Sequence, residues 1–176
     1  FLKLNNDSFL DLGAYNGDTA LDFAKRCKNY NSITAVEPDK KTFKKLLLNT
    51  EHLENFTPIN ACISDKCEMV NFKMLGGRNS VLGDGKDEIE ALTVDSLNLN
   101  PTYIKMDVEG AEVQAIEGGK SVIQSFAPKM FVAAYHYDID VFRLPLLLWE
   151  LVPEYKIFFR KHPYIPAWEL NFLIKK

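Results

Sequence analysis

The sequence predicts an α/β fold: a mostly parallel sheet of seven strands with intervening helices, closing in a C-terminal antiparallel hairpin. Three observations carry this. The apolar run Phe9-Leu10-Asp11-Leu12 stops at a glycine-spaced turn, Gly13 to Asp18, and restarts with helical spacing at Thr19-Ala20-Leu21-Asp22-Phe23-Ala24. Short β-branched or apolar runs then alternate with amphipathic stretches of helix length, the pattern of parallel βα units. The last two runs, 155–160 and 170–174, are separated by a proline-bearing link with no helix, so they are expected to pair antiparallel at a sheet edge.

Taken in order, the first strand feeds a turn in which Gly13 and Gly17 tolerate positive φ and let the backbone approach a ligand. The helix that follows presents unpaired N–H groups at its N-terminus, which favour negative charge. Residues 32–36 form a second strand with Glu37 at its carboxyl end. Pro38 suits a helix start, and Asp39 is a cap for a helix over 40–48 whose lysines face solvent while Phe43, Leu46 and Leu47 face the sheet. Residues 56–63 read as the third strand and 68–74 as an exposed edge strand, with 89–94 pairing back onto it. Between those two lies a loop rich in turn formers, 76–87, carrying Arg78 and Asn79. A buried strand over 102–107, a helix over 111–124, a strand over 129–136 and a helix over 142–151 lead to the final hairpin.

Composition bounds the function. At 176 residues the chain fits one domain, and 47% hydrophobic with 26% charged residues is globular. A net charge of −3 gives no footprint for nucleic acid or an acidic membrane surface, and no 18-residue apolar run is present. Cys27, Cys62 and Cys67 are odd in number and lack C-x-x-C spacing, so free thiols in a reducing cytoplasm are expected. The opening residues pass almost directly into a strand, and no signal or transit segment is expected from them.

The turn reads D-x-G-x-x-x-G and lacks the third glycine that lets a pyrophosphate lie against the helix end. A ligand with an adenosine and a carboxylate suits it better. Glu37 follows Gly13 by 24 positions, near the roughly 20-residue spacing at which an acid reaches ribose hydroxyls. Alone, Glu37 reads as a solvated strand-end charge; with the turn, it reads as a ribose ligand.

Such βα alternation ending in a hairpin is the plan of the Rossmann-like class I methyltransferase fold. The resemblance becomes specific at Tyr103-Ile104-Lys105-Met106-Asp107-Val108-Glu109-Gly110-Ala111-Glu112, which is similar to the signature of FkbM-type methyltransferases. With the D-L-G-A-Y-N-G-D-T turn, the V-E-P-D strand end and Ala134-Tyr135-His136, the likeness covers nearly the whole chain. It implies an S-adenosylmethionine-dependent enzyme, mostly an O-methyltransferase, acting on a small-molecule or glycan hydroxyl such as a sugar or natural product. The implied cofactor contacts are Asp11, Gly13, Ala14, Tyr15, Gly17, Asp18 and Thr19 in the turn, then Glu37, Pro38, Cys62 and Asp107. Family members usually carry further residues before the first strand; this sequence departs from them by opening almost directly on it.

Methyl transfer to a hydroxyl needs in-line approach and a group to take the proton, for which Asp107, Glu109 and His136 are the candidates. An imidazole of ordinary pKa, about 6.5, is neutral at working pH and can act as base. A structural, hydrogen-bonded His136 fits the sequence equally. Glu112 reads as an acid favoured in a helix's first turn, and Lys105 as a packed stem whose ammonium snorkels to water. Asp107 and Glu109 also offer hard oxygens to a divalent metal; two ligands are too few to establish a site, so no metal is assigned and metal-assisted transfer stays an open alternative. The loop 76–87, the link 161–166 and the aromatics Tyr135, Tyr137, Tyr164 and Trp168 are the expected acceptor contacts. A nicotinamide-dependent oxidoreductase and a non-catalytic S-adenosylmethionine-binding scaffold are the alternatives; the missing third glycine and the terminal hairpin argue against the former.

Overall fold

A computed structural model describes residues 2–73, 81–82, 87–161 and 170–176. In chain order the elements are β1 (Ser8–Leu12), α1 (Asp18–Arg26), β2 (Ser32–Val36), α2 (Lys40–Thr50), β3 (Phe56–Ile59), β4 (Cys62–Ile63), β5 (Glu68–Lys73), β6 (Val81–Leu82) and β7 (Asp87–Leu92). They continue with β8 (Tyr103–Met106), α3 (Glu112–Glu117), α4 (Lys120–Phe126), β9 (Lys129–Ala133), α5 (Asp140–Leu151), β10 (Lys156–Lys161) and β11 (Leu170–Lys175).

The main sheet has seven strands in the order β3-β2-β1-β8-β9-β11-β10, and β11 alone runs against the others. Its central strands are buried on both faces, as parallel strands between helices must be. Leu10, Leu12, Ile104, Met106, Met130 and Val132 pack on one face against Ile116, Ile123, Leu144 and Leu148 of α3, α4 and α5. On the other face Phe9 and Ile33 pack against Ala20 and Phe23 of α1, and Ala35 against Leu46 of α2. Phe9 packs against the rings of both Phe23 and Tyr103, at 4.4 and 4.9 Å between centroids. The Asp39 carboxylate accepts from the Lys41 and Thr42 N–H groups and caps α2 as expected, though Leu47 faces solvent.

Local chemistry explains four departures from the expected elements. The third strand breaks after Ile59, where the Asn60 amide donates to the Glu37 and Pro38 carbonyls and the chain turns away. Cys62 then pairs with Ala91, so β4, β7, β5 and β6 form a second, four-stranded sheet. The helix expected over 111–124 divides at Gly118-Gly119, poor helix formers, and the Asp95 carboxylate accepts the Ser121 and Val122 N–H groups that start α4. Strand β9 stops at Ala133, leaving His136 in the connection beyond it.

Candidate active site

At the carboxyl ends of β1, β2 and β8 the chain forms a cleft of about 550 Å³, in the size range of a small-molecule site. Its position follows from topology, since the connections after β1 and β8 leave toward opposite faces of the sheet and open a crevice between them. The end toward β4 is largely apolar, lined by Val36, Pro38, Ala61 and Ile63; Asp107 and Glu109 line the end toward β8.

Glu37 is buried at the end of β2 and lines this cleft. Its Oε2 accepts the Tyr15 N–H at 2.8 Å and its Oε1 the Asp39 N–H at 2.9 Å. Each oxygen retains a lone pair for a further donor. Burial pushes its pKa up to about 7, outweighing the two N–H groups that favour the charge.

The glycine turn is tied down by backbone. Gly13 and Ala14 N–H both donate to the Val36 carbonyl, and Gly17 N–H donates to that of Ala14. Gly13, expected to let the backbone approach a ligand, also lets it approach β8: with φ +78°, a Cβ there would lie 1.8 Å from the Asp107 carbonyl oxygen. A Cβ on Gly17 would meet the Thr50 methyl of α2 at 2.7 Å. Among the expected cofactor contacts, Gly13, Tyr15, Asp18, Thr19, Glu37, Pro38, Cys62 and Asp107 line the cleft. Asp11, Ala14 and Gly17 do not, because Asp11 and Ala14 are fully buried beneath the turn and Gly17 packs toward α2. The Cys62 thiol, raised by burial to about 11, donates to the Glu90 carbonyl and stays protonated.

Lys105 and Glu112 overturn what their sequence positions suggest. Lys105 does not snorkel: it is 7% exposed, its ammonium 2.6 Å from the Gly13 carbonyl oxygen and 3.3 Å from the Asp11 carboxylate. Glu112 is no surface first-turn acid. It is fully buried, and its Oε1 accepts the Val108 N–H at 3.0 Å and lies 3.0 Å from His136 Nδ1.

His136 sits behind the cleft wall, with Nε2 at 3.4 Å from Glu109 and 3.7 Å from Asp107. Burial alone would lower its pKa, but the close carboxylates of Glu109, Glu112 and Asp107 push it up to about 10. The expected neutral imidazole is therefore an imidazolium at neutral pH, a counter-ion to three carboxylates. Tyr135, its pKa raised by burial and by Asp107, donates its hydroxyl to Asp107 Oδ1 at 2.7 Å. Among the described residues, Asp107, Glu112 and His136 each bring one possible metal-ligand atom within 4.8 Å of the others. This trio includes only Asp107 of the carboxylate pair considered from sequence.

Of the expected acceptor contacts, Tyr135 and Tyr137 line the cleft. Arg78, Asn79, Tyr164, Trp168 and nearly all of the loop 76–87 and the link 161–166 lie outside the described residues. No helix among the described residues is long and apolar enough to cross a membrane.

Solved structures share this fold. The fold matches the FkbM methyltransferase of Methylobacillus flagellatus with a TM-score of 0.83 at 23% identity, over 99% of this chain and 45% of that one. This chain thus spans less than half of that protein's length. Precorrin-6y C5,15-methyltransferase of Geobacter metallireducens matches at 0.62 and 12% identity, over 98% and 80% of the two chains. Fibrillarin of Aeropyrum pernix, a structure with natively bound S-adenosyl-L-methionine, matches at 0.62 and 14% identity, over 98% and 67%. At these identities the likeness establishes the fold. No protein of curated function matches the sequence. The profile of the Methyltransferase FkbM domain matches residues 11–165, and the chain belongs to that family.

Proposed function

We propose that this chain binds S-adenosylmethionine in the cleft and directs its methyl group to a hydroxyl of a sugar or natural-product acceptor. The observation that carries the reading is Glu37, a buried carboxylate that faces the cleft across from the glycine turn with both oxygens held by backbone N–H groups. The donor set fits the cofactor. Val36, Pro38, Ala61 and Ile63 make an apolar slot suited to an adenine, Glu37 suits the ribose diol, and the acids toward β8 complement a sulfonium.

When bound, the cofactor supplies an activated methyl group. Tyr15 and Glu37 fix the turn and the ribose end, while Asp107 and Glu109 face the space that an acceptor would enter. His136 and Tyr135 hold those two carboxylates in place, so proton acceptance falls to Asp107 or Glu109 and His136 serves as their counter-ion. The test is calorimetric titration of the purified chain with S-adenosylhomocysteine. It should bind stoichiometrically, whereas an exclusive response to a nicotinamide cofactor would overturn the reading. A chain that binds but releases no S-adenosylhomocysteine with any glycan or alcohol acceptor is the scaffold of the alternative reading.

A further inference from the structure

Two charged residues lie in the most buried part of the sheet, one in each of two neighbouring strands. Asp11 in β1 and Lys105 in β8 are register partners, on the same face as Phe9 and Tyr103. Asp11 is fully buried, and Lys105 is exposed only where it reaches the floor of the cleft. The ammonium is 3.3 Å from Asp11 Oδ1, donates to the Gly13 carbonyl at 2.6 Å, and lies 3.5 Å from the Leu12 carbonyl oxygen. An apolar pair at these positions would stabilise the sheet as well or better, because desolvating two charges offsets their mutual attraction. What an apolar pair would not supply is a donor to the carbonyl of Gly13, the residue at which the chain leaves β1 for the turn.

We propose that Lys105 is a positioning residue for the glycine turn, its ammonium anchoring the Gly13 carbonyl and the Asp11 carboxylate so that the turn is held in shape for the cofactor. The proposal rests on the cofactor reading above and adds a residue to it. The turn's other ties run to β2, to Glu37 and to Asn49 of α2, whose amide donates to the Asn16 carbonyl, and the ammonium provides the tie from β8. Burial raises the pKa of Asp11 despite the nearby ammonium, while at Lys105 the charges of Asp11 and Asp107 outweigh burial and keep the ammonium protonated.

The experiment compares the wild type, Lys105→Met and the double variant Asp11→Leu/Lys105→Met. The readouts are thermal melting, calorimetric affinity for S-adenosylhomocysteine, and hydrogen exchange of the Gly13, Ala14 and Tyr15 amides without ligand. Lys105→Met leaves Asp11 buried and unpaired, so its melting temperature falls. The double variant removes both charges and should melt near the wild type. Its affinity should remain roughly tenfold to a hundredfold weaker, the range of a lost charge-assisted hydrogen bond, and its turn amides should exchange faster. Recovery of affinity along with stability in the double variant would show a merely structural ion pair and overturn the proposal. If the wild type itself fails to bind, the cofactor reading falls, and the exchange arm alone decides: unchanged turn amides then overturn the positioning role.

Discussion

Replacing Glu37 with alanine separates binding from stability, because the two effects of the side chain nearly cancel in the ligand-free fold. A carboxyl whose pKa stands at about 7 instead of 4.5 disfavours its own charge by roughly 3 kcal/mol above neutral pH. Removing it relieves that cost but strips the Tyr15 and Asp39 N–H groups of their acceptor, at about 1–3 kcal/mol each. The melting temperature should therefore move by only a few degrees. The cofactor has no such compensation. Loss of charge-assisted hydrogen bonds to the ribose should cost about 1.5–3 kcal/mol, or roughly tenfold to a hundredfold in affinity. The pH dependence supplies a second signature. Because the folded pKa is raised, the stability Glu37 contributes is fully present below its unfolded value near 4.5 and is lost as pH rises to about 7. Binding runs the other way, since the ionised form holds the diol better and affinity should weaken as pH falls through about 7. Calorimetry from pH 5.5 to 8.5 on both proteins is the assay. Equal affinities, or a pH profile shared by the variant, would refute this account of Glu37.

Gly13→Val should collapse the melting temperature without ligand, because the new Cβ occupies the place of the Asp107 carbonyl oxygen; a variant that melts like the wild type would contradict the packing. His136 should titrate near pH 10 by imidazole NMR, so its stabilising contribution, complete below about 6.5, is lost as pH rises toward 10; a midpoint between 6 and 7 would return it to the role of base. Glu109→Gln should reduce single-turnover rates roughly 10²–10⁴-fold at near-constant affinity for S-adenosylhomocysteine, which lacks the sulfonium charge, whereas Asp107→Asn should reduce the rate and weaken cofactor binding as well. His136→Gln should mainly lower stability, since Glu112 then lies buried without its cation. Rates within a few-fold of wild type for both carboxylate variants would leave proximity as the source of catalysis.

What the sequence discloses and what it hides divide along a physical line. The β1 strand, its glycine turn, the acid ending β2, the Asp39 cap and the terminal hairpin are local patterns, and each is found where the residues indicate. Lys105 and Glu112 depart from what their sequence positions suggest because their environments are made by distant parts of the chain. A lysine in an apolar run has the same neighbours whether it snorkels or is sealed in, and only the register of β8 against β1 brings Asp11 beside it. One signal is available: F-L-D-L and Y-I-K-M each carry a single charge, of opposite sign, in an otherwise uncharged strand. Glu112 offered less, since burial of a first-turn acid depends on where His136 falls, 24 positions later. The division at Gly118-Gly119 was written in the residues but looks the same as a tolerated pair within one longer helix.

The small second sheet makes the cleft an asymmetric device. Among the described residues its strands ladder only with one another, yet Ala61, Cys62 and Ile63 supply one wall of the pocket, while Lys105 and Phe131 of the main sheet line another part of it. Asn60 is the joint between them, its amide pinned to the carbonyls of Glu37 and Pro38. Substitutions, insertions or deletions beyond that joint can reshape one side of the pocket without shifting the register of the seven strands or the acid that faces the turn. A lineage built on this plan can change what it recognises while leaving its central machinery untouched, and the chain between β4 and β7 is where such divergence should accumulate.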